Sequence, residues 1–492
     1  MRHSTSSRRT LLKSAGGSIL ASALPFRRSM AADAISPVMA RLSAYMTEAR
    51  NRALPEPVLE KTKHHVLDTI AAMVSGAALP PGRAAIAFAR GYGGKAVATV
   101  AASNIVCGPI EAALANGVLA HADETDDSHG PSRSHPGCAV VPAALALGEQ
   151  FGAPGIHFLR AVALGYDIGT RVTMSMGGPS YQTLTHRSTH GTAQIFSAAA
   201  AAGCAASLGE RQMRYLLDYT AQQSSGIGAW GRDTDHMEKA FVFGGKSAAG
   251  GVTAALLVSA GWTGVDDIFS GADNFFEAFA PRVDGVMKAD PAGMVEALGE
   301  RYEIMRTNIK KWTVGSPIQA PLDALELFFK RRSFSADEVQ TVVVRMASDE
   351  VRTVNHREIP DICLQHMVAV MLLDKTASFK AAHDKPRMQD AAVLRQRSKV
   401  KYVPDAALTR LLPARVAIVE ITLNDGTQLS DRVEAVRGTV RNPMPRSEVV
   451  DKAKDLMSPV LGSANTGKLI DVLLALETVK DIRTLRPLLQ RT

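Results

Sequence analysis

From Ser36 to about Phe279 the apolar positions recur at helical spacing almost without a break. Behind Pro55-Glu56-Pro57, residues Val66, Ile70 and Met73 fall on one face, and the pattern runs on to Gly76. Pro80-Pro81-Gly82 interrupts it, and a further helix follows to Gly91. Only residues 95–106 alternate enough for a short extended segment. Residues 189–208, THGTAQIFSAAAAAGCAASL, have no polar face, which predicts a helix buried all round at the centre of a bundle. Further helices are expected over 155–172, 211–223 and 245–261, with a Gly/Ser-rich loop at 224–235. After Pro281 the character changes. Residues 320–331 read as helix and 339–345 (VQTVVVR) as a strand. Residues 415–423 alternate into the turn Asn424-Asp425-Gly426 and on through 427–433, a hairpin signal. Helical spacing returns over 447–457 and 466–476. At 492 residues the chain exceeds one ordinary core. The pattern predicts a mainly α protein: a large α-helical bundle domain (32–295 and 445–492) carrying a smaller inserted α+β lid domain (296–444).

One stretch departs from this economy of small apolar residues. Residues 116–149 read NGVLAHADETDDSHGPSRSHPGCAVVPAALALGE. Two Ala-rich helices flank a connection that holds His121, Asp123, Glu124, Asp126, Asp127, His129 and His135. Unpaired buried charges cost several kcal/mol each, so such a loop serves chemistry better than packing. The alternative is a solvated acidic loop. His186 and His190 stand just before the central helix, whose N-terminus favours an anion. Lys239 follows the Gly-rich loop, and Lys310 and Lys311 open the second domain in IKKWTVGSPIQAP. Lysines neutralise substrate carboxylates while a histidine or carboxylate moves a proton, so the set suits a small polyanionic acid.

The same loop offers the nitrogen and oxygen ligands of zinc or manganese hydrolases, but no H-E-x-x-H fixes their spacing. The four cysteines (Cys107, Cys138, Cys204, Cys363) form no C-x-x-C pair, which leaves structural zinc and iron–sulfur ligation unsupported. Neither a metal nor a cofactor is expected.

Apolar content of 46% and charged content of 21% are those of a globular protein. The net charge of +8 misleads, because residues 1–31 contribute Arg2, Arg8, Arg9, Lys13, Arg27 and Arg28 and no acid. The remainder is close to balanced, so no nucleic-acid face is implied. That first segment reads as a twin-arginine signal peptide: Ser7-Arg8-Arg9-Thr10-Leu11-Leu12-Lys13, a mildly apolar run to Leu24, then Ser29-Met30-Ala31 as a cleavage site. The expectation is transient engagement of the export machinery and residence in the periplasm, where one disulfide is permitted. Beyond the leader no run of about 18 strongly apolar residues suggests a membrane anchor.

The loop block resembles the NG-x-x-x-H-x-x-D-x-D-D-T … HPS … P-A-A-L-A-L-A-E segment of the MmgE/PrpD family, which includes 2-methylcitrate dehydratase and cis-aconitate decarboxylase. Further similar stretches are VLDTIAAMVSG (66–76), AVALGYDIGTRV (161–172), THGTAQIFSAAAAAGCAASLG (189–209), AALLVSAGWTGVDDIFSGADNFFEAF (254–279), IKKWTVGSPIQAPLDA (309–324) and AVMLLDKTASF (369–379). The resemblance implies a helical domain with an α+β lid, a homodimer, and a cofactor-free site between the domains. Carried over by position, it implies catalytic roles for His135, His186, Glu124 and Ser128. It implies substrate binding by Lys239, Lys310 (with Lys311 its rival), His190 (the rival of His186), His366 and Asp127. Glu124 stands where the family usually has Asp, Ser128 where it often has Thr, and His366 where a Tyr is found in the decarboxylases. The implied activity is a cofactor-independent lyase of a di- or tricarboxylic acid, dehydratase first, with decarboxylase or epimerase as alternatives. Outside the family, a metal-dependent hydrolase or a non-catalytic carboxylate-binding protein remains open.

Overall fold

Ser188 starts the central helix, Thr189–Ala205: its hydroxyl accepts the Gly191 N–H, one of the donors a helix start leaves free. Every side chain of that helix is buried, as its composition predicts. Around it pack Gly155–Met174, Lys246–Ser259 and Gly137–Phe151. Small residues set the spacing. A Cβ on Gly169 would meet the Ala193 carbonyl at 2.1 Å, and one on Gly251 the Ala199 nitrogen at 2.4 Å, so these helices touch backbone to backbone. Alanine and glycine also lose no side-chain rotamers on burial, which lowers the entropic cost of ordering this layer.

These features come from a computed structural model that describes residues 35–491. The signal-peptide reading falls on residues 1–31, outside the described residues. Helix makes up 59% of the structure, with only small sheets, so the mainly α expectation holds. Two hydrophobic cores lie within one compact unit. The first runs from Met39 to Ile309 and resumes from Met444 to Leu489. The second takes Trp312 to Val436. The chain thus passes between cores after Ile309, not at 296, because Tyr302, Ile304 and Ile309 pack into the helical layer. The returning helix Arg446–Leu461 lies along Glu56–Gly76, and Arg486 reaches Glu149 at 3.0 Å.

The second core is built on a four-stranded sheet in the order Val400–Asp405, Val339–Ala347, Ala417–Leu423, Gln428–Val433. The first pair is parallel (Val342 opposite Val400), and the others are antiparallel (Val344 opposite Val419, Ile421 opposite Leu429). The hairpin and the 339–345 strand were legible; the Val400–Asp405 strand was not. Pro404, which has no N–H to give a ladder, belongs on an edge strand, and this strand is one. The extended segment expected at 95–106 is a two-residue ladder, Ala98–Thr99 against Val106–Cys107.

Met237–Ser259 is long and apolar enough to cross a membrane by composition, yet 67% of its most apolar window is buried. It serves as a core helix of the bundle. It begins eight residues earlier than the expected 245 and contains a π-helical turn, Phe241–Gly245. All four cysteines are buried and unpaired.

Candidate active site

The polar loop leaves the Pro109–Ala120 helix at His121 and re-enters helix at Gly137, and its charges turn inward. Asp126, fully buried, is the pivot. His121 Nδ1 lies 2.8 Å from its Oδ2, and His135 Nδ1 lies 3.1 Å from its Oδ1. A carboxylate only accepts, so each imidazole donates its Nδ1–H and is left with a lone pair on Nε2. His121 Nε2 meets no hydrogen-bond partner among the described residues. Burial opposes charge on Asp126, but the two imidazoles on it hold its carboxyl well below the usual range. Burial also lowers the pKa of His121, so the ring is a neutral base candidate.

Two ammonium groups stand beside this pair. Lys239 Nζ is ion-paired with Glu124 Oε1. Lys310 Nζ donates to the Glu124 carbonyl at 2.7 Å and lies 3.6 Å from Asp126 Oδ1. Burial alone would raise the Glu124 pKa, but Lys239 and Lys310 carry it well below its ordinary value. His236 completes this side, its ring 5.2 Å from that of His121. Burial, and then Lys239, keep His236 neutral.

His121, Glu124 and His236 bring ligand atoms within 4.8 Å of one another, as do His121, Asp126 and Cys138. Neither set fits a divalent ion. Lys239 already occupies the Glu124 carboxylate, and Lys310 stands over both carboxylates. Burial raises the Cys138 pKa well above normal, which keeps a thiol where a metal needs a thiolate.

The opposite wall is aromatic. Within the π turn Phe243 stacks on His190 (centroids 3.8 Å, 10° apart) and on His121 (4.6 Å), with Trp230 edge-on at 4.7 Å. Burial first, with the cationic Arg133 and Lys239 adding to it, pushes His190 well below its usual pKa. Gln194 of the central helix ties the wall to the loop: its Nε2 donates to the carbonyls of His135 (2.7 Å) and Phe243 (3.0 Å). A π turn re-aims side chains that a regular helix would rotate away, which is why such turns recur at functional sites.

Of the residues expected from sequence, Glu124, His135, His190, Lys239 and Lys310 come together here. The others do not. His186 is exposed at the left-handed end of Pro179–Thr185 (φ 59°), because that short helix stops before the loop; His190, in the first turn of the central helix, takes the buried place. Lys311 points away to Glu326 at 2.7 Å and over the Trp312 ring. Asp127 is structural: it accepts from Tyr166 (2.5 Å) and the Gly137 N–H (3.1 Å) and lies 3.1 Å from His65 Nδ1. Ser128 pairs through its backbone with Asn308, joining the loop to the segment before Lys310. His366 is buried in the second core, and burial with Arg397 and Arg387 lowers it to about 4; its charged neighbours are not those of the Asp126 cluster. Sequence reasoning missed His236, Phe243, Trp230 and Gln194 as site residues. Only the His236-x-x-Lys239 spacing, one helical turn, offered a signal.

Two imidazoles oriented by a buried carboxylate, with two ammonium groups at their side, are an arrangement suited to acid–base chemistry. The chain belongs to the MmgE/PrpD family: residues 40–284 match its N-terminal domain and 312–478 its C-terminal domain. Among curated relatives it is 24% identical to the cis-aconitate decarboxylase-like protein oryM of Aspergillus oryzae, over 92% of this chain and 97% of that one. It is 23% identical to cis-aconitate decarboxylase of Aspergillus terreus (94% and 98%) and 24% identical to that of Homo sapiens (89% and 91%). Family and relatives together support a lyase-type function.

Proposed function

We propose that the protein is a metal-independent lyase of a di- or tricarboxylic acid, working through a carbanion or enolate. The observation that carries this reading is the Asp126 bridge, which presents His121 and His135 with free Nε2 lone pairs next to Lys239 and Lys310. The lysines neutralise substrate carboxylates and thereby acidify the adjoining C–H. His135 takes that proton, and the electron pair left on carbon expels hydroxide, which leaves as water after protonation by a second group. Of the two histidines implied there, His190 lies inside the site and would serve once it has taken up a proton, whereas His186 is exposed. Decarboxylation is the second reading, favoured by the names of the relatives. There the C–C bond breaks, carbon dioxide departs, and a protonated imidazole returns a proton to the carbanion. Export and a homodimeric state complete the proposal, tested by cell fractionation and light scattering.

A panel of di- and tricarboxylates, followed by mass spectrometry and NMR, separates loss of water, loss of carbon dioxide and epimerisation. Consumption of none of them would remove the reading. Activity is expected to survive exhaustive chelation; loss with EDTA and recovery with Zn²⁺ or Mn²⁺ would favour a metallohydrolase instead. Lys239→Ala is expected to raise KM by roughly 10–100-fold, the worth of one charge-assisted hydrogen bond, and to change kcat far less. Lys239→Arg should recover part of that affinity. A kcat-only loss would move Lys239 from binding to chemistry.

A further inference from the structure

Glu124 sits in a turn whose shape is set from outside the loop. Asp123 accepts the Thr125 N–H (2.9 Å) and the Thr125 hydroxyl (2.6 Å), closing a local ring around Glu124. Lys310 holds the Glu124 carbonyl, and Lys452, from the returning helix, holds the Thr125 carbonyl at 2.9 Å while paired with Asp68 at 2.6 Å. The remaining handle is the Asp123 side chain, and it is taken by His383, whose Nε2 lies 2.9 Å from Asp123 Oδ2.

His383 comes from the part of the chain that builds the second core, directly after the short helix Phe379–Ala382. Its Nδ1 donates to the Phe379 carbonyl at 2.7 Å. A carbonyl only accepts, so Nδ1 carries hydrogen, while Nε2 lies within ion-pair distance of the Asp123 carboxylate but outside hydrogen-bond geometry, so the ring meets Asp123 as its charge partner. The Phe379 N–H in turn reaches Asp455 of the Arg446–Leu461 helix at 3.1 Å. The Phe379 ring packs on the imidazole at 4.2 Å. The charged groups that face His383 are Asp123 from the loop and Asp361 from the Pro360–Ile362 turn.

We propose that His383 is a positioning residue for the lyase reaction, an imidazolium that fixes the Asp123–Thr125 turn and with it the Glu124 carboxylate between Lys239 and Lys310. The proposal rests on the functional reading above. Burial opposes the charge, but Asp123 raises His383 to about 9. A folded-state value above the unfolded one means the clamp is complete below about 6.5 and is lost as pH rises through about 9. Asp361, raised to about 7 by burial, gains its own charge across the lower part of that window and then strengthens the field on His383.

The test compares wild type with His383→Gln in kcat and KM between pH 6 and 10, and in hydrogen exchange of the peptide spanning 121–129. Expected are a kcat about 10–100-fold lower with KM within about two-fold, loss of the alkaline limb near pH 9, and faster exchange in that peptide but not in Thr189–Ala205. Because His383→Gln leaves Asp123 without its counter-charge, the pair Asp123→Asn with His383→Gln is measured as well. That double variant should melt near wild type yet stay slow and lack the alkaline limb. Wild-type kcat and exchange in both variants would overturn the proposal, as would exchange raised throughout the chain. If wild type itself turns over no polycarboxylate, the functional reading fails, and local exchange at 121–129 still decides the role of His383.

Discussion

Asp126→Asn is expected to leave a folded protein whose turnover falls about 10²–10⁴-fold, the largest kinetic loss from any one-atom change in the site. Asp126 offers one oxygen to His121 and one to His135. An Asn side chain keeps the volume but has a single acceptor, so one imidazole must turn its lone pair toward the amide N–H₂ and carry its hydrogen on Nε2. That ring then faces the substrate as a donor where a base is required. Lys310, 3.6 Å away, loses a counter-charge at the same time, which makes the site more cationic and keeps KM from rising in step. Steady-state kinetics with the substrate found by the panel, beside a melting curve, measures the effect. An Asp126→Asn protein within a few-fold of wild type would take the bridge out of the mechanism.

Gly244→Ala is the second large effect, and it acts on fold and site together. A Cβ there would lie 1.9 Å from the Gly117 carbonyl oxygen and 2.5 Å from its carbon, backbone atoms with no rotamer to yield. The π turn would have to lift off the Pro109–Ala120 helix. Overpacking of this kind destabilises by about 1–3 kcal/mol, and more where both partners are backbone. Phe243 and Lys239 ride on the displaced segment while His121 and Glu124 ride on the other, so activity should drop by at least ~10²-fold for a shift near 1 Å. Gly467→Ala is the contrast: it lies in the helix Ser463–Leu474 with nothing within 4 Å of the new methyl, and should gain roughly 0.5–1 kcal/mol. Equal denaturant midpoints for the two variants would contradict the close-contact account.

Much of the fold could be read from periodicity because the helices are long and their faces sharply sorted. The central helix was evident from its want of polar residues, and the hairpin from Asn424-Asp425-Gly426. The π turn was not legible, since Phe241–Gly245 differs from ordinary helix by a hydrogen-bond register that composition does not mark. The core boundary was misplaced because residues 296–309 are too irregular to show a period. For the site, the crowded loop announced itself, but which of its groups face inward depended on partners far away in sequence. Lys310 and Lys311 are neighbours with the same chemistry, and only the backbone direction after Ile309 sends one to Glu124 and the other to Glu326. His186 and His190 differ in the same way: four residues separate an exposed turn from a buried first helical turn.

The helical core is written at both ends of the sequence, and this matters while the chain is being made. The Glu56–Gly76 helix receives its cover from Arg446–Leu461, and Asp68 and the Thr125 carbonyl receive theirs from Lys452. At typical elongation speeds, the ribosome needs roughly 20–80 s to travel from one partner to the other. Throughout that interval the nascent chain carries an open apolar flank and a catalytic loop short of one of its cations. Such a polypeptide is exposed to aggregation until translation ends, and its site is complete only when the last helices have docked.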